Sequence, residues 1–249
     1  MNAMFARTAR RLFGGVLLFA AIGSAFASSI AVNPIRVNLS EKQKTSPMVV
    51  RNSGAEPSVV QLQVMSWSQH DGKDVLIPSR DLLATPPIFT VPAGGTQTVR
   101  VGLRQRTDAK TEGSYRLILQ EVPPAAKPEF RGLRVALRLS VPIFIAPAGA
   151  MTRSLAWQAD VMPTADSQDL RISSTNIGNA HVQVLGFKLY SDGAELPLLS
   201  RVESSYLLPG QGREWSLRLT SVPPAGSTLR VEARTDAGEV RADVVLAER

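Results

Sequence analysis

The chain has 249 residues, with 28 Lys+Arg, 21 Asp+Glu, two His and no Cys, and its formal net charge is +7. The basic residues are scattered and do not form runs, which gives nucleic-acid binding little support. Because the chain has no cysteine, thiol chemistry is excluded. With only two histidines, most metal chemistry is excluded as well.

The first 27 residues have the three-part pattern of a secretory signal peptide. Three arginines within 7–11 form a positive start, an apolar run covers 12–22, and A-F-A at 25–27 is a small-x-small cleavage pattern. The apolar run is shorter than the roughly 20 residues that a membrane span needs. We expect an exported mature chain that begins at Ser28 and carries a net charge of about +4.

From Ser28 to position 147 the sequence pattern predicts strands and turns. The predicted strands, in chain order, are 30–39, 46–52, 59–67, 75–77, 88–91, 96–103, 113–122 and 133–141. Pro34 is tolerable in the first of them only at an edge or a bend. The number and spacing of these strands predict a β-sandwich.

The last predicted strand has one apolar face. Its apolar side chains are Leu133, Val135, Leu137, Leu139 and Val141, and they alternate with Arg134, Ala136, Arg138 and Ser140. Pro142 follows, and proline usually marks an edge or a strand end. A long apolar edge strand is prone to aggregation, so either another element covers it or another chain pairs with it. The pattern itself leaves both alternatives open.

A second run of strands follows a short stretch of small residues and proline at 146–150. Its predicted strands are 155–161, 170–175, 181–190, 215–219, 228–234 and 240–246. No segment has a helical period. The sequence therefore predicts an all-β protein with two sandwich domains, at 28–147 and 148–249.

Nothing in the chain resembles a catalytic or metal-binding constellation. His70 stands beside Asp71 in a predicted hairpin turn, and His181 opens a strand, where packing or turn bonding is the expected role. No G-x-S-x-G is present, and Asp71 and Asp74 lack the further carboxylates of a calcium site. We expect no enzymatic activity, no metal or other cofactor and no small-molecule substrate.

Several short motifs, taken in order, resemble those of the PapD-like periplasmic pilus (fimbrial) chaperones. They are A-V-N-P-I-R at 31–36, A-T-P-P-I-F-T-V-P-A-G at 84–94, E-V-P-P at 121–124, P-I-F-I-A-P at 142–147, N-I-G-N-A-H at 176–181 and Y-L-L-P-G at 206–210. The resemblance covers essentially the whole mature chain. It implies two immunoglobulin-like sandwiches in a boomerang arrangement and a periplasmic location. It also implies that the chain binds pilin subunits and delivers them to an outer-membrane usher.

The resemblance also bears on the strand at 133–141. In this family the last strand of the first domain completes a pilin sandwich that lacks its own final strand, which is a form of β-augmentation. It therefore favours pairing with another chain over packing in the chain's own core. The inserting side chains would be Leu133, Val135, Leu137, Leu139 and Val141.

A pair of basic residues holds the pilin C-terminal carboxylate in this family. Arg36 matches the first, but the second, a lysine, falls on Pro142. This departure resembles the archaic (sigma-type) branch, and Arg116 is a possible substitute. Glu112 matches an acidic residue that helps to fix the interdomain angle, but its usual arginine partner falls on Ala146.

The alternative interpretation is a secreted two-sandwich fimbrial subunit with a structural or adhesive role. Such a subunit should carry an alternating apolar extension before its first strand. The predicted first strand begins at position 30, too close to the cleavage pattern for one. A periplasmic hydrolase, a third possibility, has no constellation to support it.

Overall fold

The computed structural model describes residues 30–104, 109–123, 135–163, 168–219 and 222–248. The expected signal peptide at 1–27 and Leu133 lie outside these residues. In the described ranges all regular structure is strand, as predicted, and they contain no helix that is long and apolar enough to span a membrane.

The first ten strands form two sheets around one core. They are β1 (Ile30–Asn33), β2 (Val37–Leu39), β3 (Thr45–Asn52), β4 (Ser58–His70), β5 (Lys73–Pro78), β6 (Leu82–Thr85), β7 (Ile88–Val91), β8 (Thr96–Leu103), β9 (Gly113–Val122) and β10 (Arg138–Ile145). One sheet has the order β1-β3-β8-β6, and the other has the order β2-β10-β9-β4-β5, with β7 beside β4. Val50 and Val99 of the first sheet and Leu117 and Ile143 of the second share the core.

The predicted strand at 30–39 is two strands in different sheets. β1 pairs antiparallel with β3, whereas β2 pairs parallel with β10. The chain bends at 34–36 between them, which is one of the two settings in which Pro34 was expected to be tolerated. The bend places Arg36 where the chain passes from one sheet to the other.

Strand β4 changes its buried face along its length. Val60 and Leu62 point into the core of the first domain, but Met65 and Trp67 are buried on the opposite face. Trp67 packs against Leu208 of the second domain. The switch therefore marks the end of β4 that the second domain covers.

The remaining strands form the second sandwich. They are β11 (Leu155–Pro163), β12 (Gln168–Asn176), β13 (Val182–Ser191), β14 (Leu199–Leu207), β15 (Gly212–Arg218), β16 (Thr228–Thr235) and β17 (Gly238–Glu248). Strands β14-β13-β16-β17 are neighbours in that order, β11-β12-β15 follow, and a short parallel pairing of β17 with β11 joins the two groups. Trp157, Phe187 and Trp215 are its large aromatic core residues.

Two strands lack a counterpart in the sequence prediction, namely β6 and β14. Strand β14 lies at an edge, and much of its sequence, R-V-E-S-S, is polar or charged. Such a strand lacks the apolar alternation on which the prediction depends.

The predicted domain boundary between 147 and 148 falls between the two cores. The last buried residue of the first core is Ile145, and the first of the second core is Trp157. The boundary itself stays a prediction.

Candidate functional site: an open strand edge and the cleft between the domains

Strand β10 is paired along its whole length on one side only. Its eight residues pair antiparallel with β9, from Arg138 opposite Gln120 to Ile145 opposite Gly113. On the other side, β2 pairs only with Ile143–Ile145. No described strand pairs with that side of β10 at 138–142, so its outward backbone groups form an open edge.

The apolar row of this strand divides into two parts. Val141 is 3% exposed and belongs to the core of the first domain, and Leu139 is partly buried against that core. The expectation that Val141 is available to insert into another chain is therefore wrong, because its side chain is already packed. Val135 is 69% exposed and Leu137 is intermediate. These two precede β10 and form the accessible part of the described row.

Leu137 is held at the end of β9 although it precedes β10. Its backbone N–H donates to Glu121 Oε2 at 3.1 Å, and its carbonyl accepts from the Glu121 N–H at 2.9 Å. The other Glu121 carboxylate oxygen accepts from Ser58 Oγ at 2.7 Å. The backbone at Leu137 is therefore attached to the sheet just where the accessible row begins.

Arg116 stands directly opposite Pro142. The pairing of β9 with β10 puts these two residues in register, so their side chains lie on the same face of the sheet. The Arg116 guanidinium lies 3.7 Å from the Trp67 ring centroid and 3.8 Å from Asp74. Burial lowers the pKa of Arg116 and Asp74 opposes that effect, but an arginine stays charged. A cation therefore lies next to Pro142, the position at which the resemblance implies a lysine.

Arg36 and Arg116 are brought together around Tyr206 of β14. The Arg116 guanidinium is 5.4 Å from the Tyr206 ring centroid. Burial raises the pKa of the Tyr206 hydroxyl, and the charges of Arg36 and Arg116 both lower it. Arg36 also forms an ion pair with Asp236 at 2.6 Å, and its side chain is 34% exposed. The two predicted anchor residues thus share one neighbour at the junction of the domains.

A polar cavity of about 360 Å³ opens beside Arg116. Its charged lining consists of the cations Lys73, Arg116 and Arg213 and the carboxylate of Asp74. The excess of cations makes this cavity favourable for an anionic group, and the flat faces of Trp67 and Tyr206 hold the arginine side chain in place.

Glu112 has a different partner from the one that the resemblance implies. With Ala146 at the usual arginine position, Glu112 Oε2 lies 2.6 Å from His181 Nδ1 and accepts the His181 backbone N–H at 2.8 Å. His181 also stacks on Phe144 of β10, with 3.5 Å between ring centroids. The packing role expected for His181 is present, but its ion pair was not predicted. A buried acid that has lost its arginine needs another cation, and this is the signal that could have identified His181.

The aromatic joint between the domains was also missed. Trp67, Phe144 and Leu208 form a small buried cluster, with Tyr206 packed against it. Beside it, the Gln69 side chain donates to the Tyr206 carbonyl at 2.9 Å and accepts the Leu208 N–H at 3.0 Å. The cluster and these two hydrogen bonds attach the end of β4 to β14.

Comparison with known proteins identifies the family of the first domain. The family model described as "Pili and flagellar-assembly chaperone, PapD N-terminal domain" matches residues 29–151. The chaperone protein FimB/FhaD of Bordetella pertussis is 26% identical over 155 residues, which cover 59% of this chain. The match spans 62% of the length of that curated relative.

Several solved structures have the same fold. A chain of the CsuC–CsuE chaperone–tip adhesion subunit complex, from the archaic chaperone-usher Csu pili of Acinetobacter baumannii, is 18% identical with a TM-score of 0.64. The alignment covers 88% of this chain and all of the other. A chain of the Salmonella enterica SafA pilin–SafB chaperone complex is 18% identical with a TM-score of 0.56, and the alignment covers 88% and 97% of the two chains. The Pseudomonas aeruginosa CupB2 chaperone is 17% identical with a TM-score of 0.54, over 87% and 100%.

Proposed function

Because the chain belongs to the family of pili and flagellar-assembly chaperones, we propose that it binds pilin subunits in the periplasm by donor-strand complementation and delivers them to an outer-membrane usher. The observation that carries this proposal is the open edge of β10 at 138–142, with the exposed side chain of Val135 just before it. An edge of this kind is what an incomplete pilin sandwich needs in order to complete its hydrogen-bond ladder.

The proposed inserting row is shorter than the predicted one. Val135 and Leu137 are its described members, and Leu133, outside the described residues, continues the same alternation. Leu139 stands at the boundary, because its side chain already packs partly against the first core. Val141 instead anchors the strand in its own domain. The same strand would thus be packed in the core of its own domain at one end and be available to the pilin subunit at the other.

Arg36 and Arg116 would hold the C-terminal carboxylate of the subunit. A guanidinium group carries five N–H donors, so the ion pair of Arg36 with Asp236 leaves donors for a second carboxylate. Arg116 stands in register with Pro142, and its charge would take the place of the family lysine. Two arginines that both neighbour Tyr206 would fix the end of the subunit and thereby its register along β10.

The proposal is tested by co-expressing the chain with a pilin-type subunit in a bacterial periplasm. The test variant carries Val135→Asp and Leu137→Asp, which put charges into the row that would enter the subunit core. The matched control carries Val202→Asp and Val245→Asp, since these valines of the second domain are 86% and 64% exposed. Circular dichroism of each purified variant shows whether it is folded.

The expected result is a soluble one-to-one complex for the wild type and for the control, and loss of the subunit with the test variant. Retention of the subunit by a folded Val135→Asp/Leu137→Asp variant would contradict the proposed donor row. Failure of the wild type to retain any subunit would contradict the proposed function itself.

A further inference from the structure

His181 is a buried histidine at the contact between the two domains. It directly precedes β13, and its side chain is 1% exposed. Phe144 of the first domain covers one face of the imidazole, with an interplanar angle of 9°. The ring centroid of Tyr206 is 5.7 Å away. The imidazole thus lies inside the joint and away from solvent.

Charged groups from both domains face this imidazole. Glu112 of the first domain lies at Nδ1, and Asp236 of the second domain lies 3.5 Å from Nε2. Asp236 in turn pairs with Arg36 of the first domain and accepts the Gln183 N–H at 2.9 Å. The sequence of contacts Glu112–His181–Asp236–Arg36 therefore crosses between the domains twice.

The charges of this group balance only when the imidazole is protonated. Two carboxylates and one guanidinium carry a net charge of −1, and an imidazolium brings the sum to zero. Burial by itself lowers the pKa of His181, but the charges of Asp236 and Glu112, together with the hydrogen bond between Nδ1 and Glu112, outweigh burial and raise it. A buried carboxylate without a cation is strongly unfavourable, so Glu112 favours the charged imidazole, and the negative charge of Asp236 adds to this effect.

We propose that His181, as an imidazolium between Glu112 and Asp236, is a positioning residue that fixes the two domains relative to each other and holds Arg36 in the cleft through Asp236. In this chain it takes the place of the arginine that would stand at Ala146. The part that concerns Arg36 rests on the proposed function, whereas the fixing of the domains does not.

The free protein allows a direct test of the charge state. The chain has two histidines, and His70 has an 83% exposed side chain, so an NMR titration of the imidazoles gives two distinguishable signals. His181→Gln and His70→Gln assign them. The expected result is that His181 loses its proton above 6.5, the ordinary pKa of histidine, and that Glu112→Gln moves this midpoint to lower pH. A midpoint at or below 6.5, or one that Glu112→Gln leaves unchanged, would overturn the proposal.

The arrangement of the domains is measured on the same protein. Because the chain has no cysteine, Thr98→Cys in β8 and Lys188→Cys in β13, both exposed, introduce unique sites for spin labels. Electron–electron distance measurements are made about one pH unit below and above the midpoint of His181. We expect a narrow distribution below the midpoint and a broader one above it. For His181→Gln we expect a broad distribution at both pH values, while His70→Gln follows the wild type.

A distribution that stays narrow in His181→Gln at both pH values would show that His181 only fills space. The Arg36 part has its own measurement, the affinity for a pilin-type subunit. We expect His181→Gln to weaken subunit binding roughly tenfold and His70→Gln to leave it unchanged. If the distances broaden in His181→Gln but the affinity does not fall, the Arg36 part is wrong. If the wild type binds no subunit, the proposed function fails, and the NMR and distance results still decide whether His181 fixes the domains.

Discussion

Replacing Val141 and Val135 by alanine, one at a time, should separate the two roles within one strand. The two changes remove the same atoms from residues six positions apart on the same alternating row. Val141 is 3% exposed within the first core, and Val135 is 69% exposed. We expect Val141→Ala to lower the free energy of unfolding of the first domain and Val135→Ala to leave it nearly unchanged.

The size of the difference follows from burial. Val141→Ala removes the equivalent of two buried methylene groups, at about 0.8 kcal/mol each, and leaves a small cavity that adds to the loss. The expected cost is about 2 kcal/mol. Val135→Ala acts on an exposed side chain and should change stability by less than about 0.5 kcal/mol. Its effect should appear in subunit binding instead.

Urea unfolding followed by circular dichroism measures the first effect. With a slope of roughly 2 kcal/mol per molar urea, Val141→Ala should lower the midpoint of the first domain by about 1 M, and Val135→Ala should not shift it measurably. Co-purification with a pilin-type subunit measures the second effect. Equal destabilisation by the two changes would show that Val135 also belongs to a core, and the division of the row would be wrong.

Three further predictions concern the cleft and the second domain. Arg116→Ala should weaken subunit binding in a pull-down, while Arg100→Ala, an exposed arginine of β8, should not. The pKa of Asp236 is lowered although burial opposes this, because His181, the Gln183 N–H and Arg36 stabilise its charged form. Its contribution to stability is present above the ordinary carboxyl pKa and is lost as pH falls toward the lowered one, so unfolding of Asp236→Asn should depend less on pH in acid. Gly178→Ala should lower the melting temperature by several degrees, because its Cβ would collide with the Thr152 carbonyl oxygen.

Much of the fold could be predicted because the pattern of a strand is local. Alternation of side chains predicted β8 with the observed bounds, and Val99 and Val101 are buried as that alternation requires. The division of 30–39 into β1 and β2 could not be predicted in this way. It depends on which sheet each half joins, and that is a tertiary property.

The candidate site was predictable in part for the same reason. Alternation identified the row from Leu133 to Val141, but a buried face looks the same whether it enters its own core or that of a partner. The structure separates the described members, because only Val141 is fully buried in the first core. Arg116 was proposed from its place in the strand before β10, and its register with Pro142 is a finding of the structure.

The residues that contact each other across the cleft could not be predicted from the sequence. Glu112 and His181 are 69 positions apart, and no periodic pattern relates them. The same is true of Gln69, whose side chain meets the backbone of β14. Long-range polar pairs of this kind depend on how the domains pack, which local patterns do not report.

Amide hydrogen exchange, measured by mass spectrometry, tests the central claim most directly. The free protein and its complex with a pilin-type subunit are compared peptide by peptide. We expect 135–142 to exchange only in part in the free protein, at the amides that point to the open edge, and to become more protected in the complex, because the open edge of β10 gains a partner strand. Unchanged exchange at 135–142, with new protection at another edge such as β14, would contradict it.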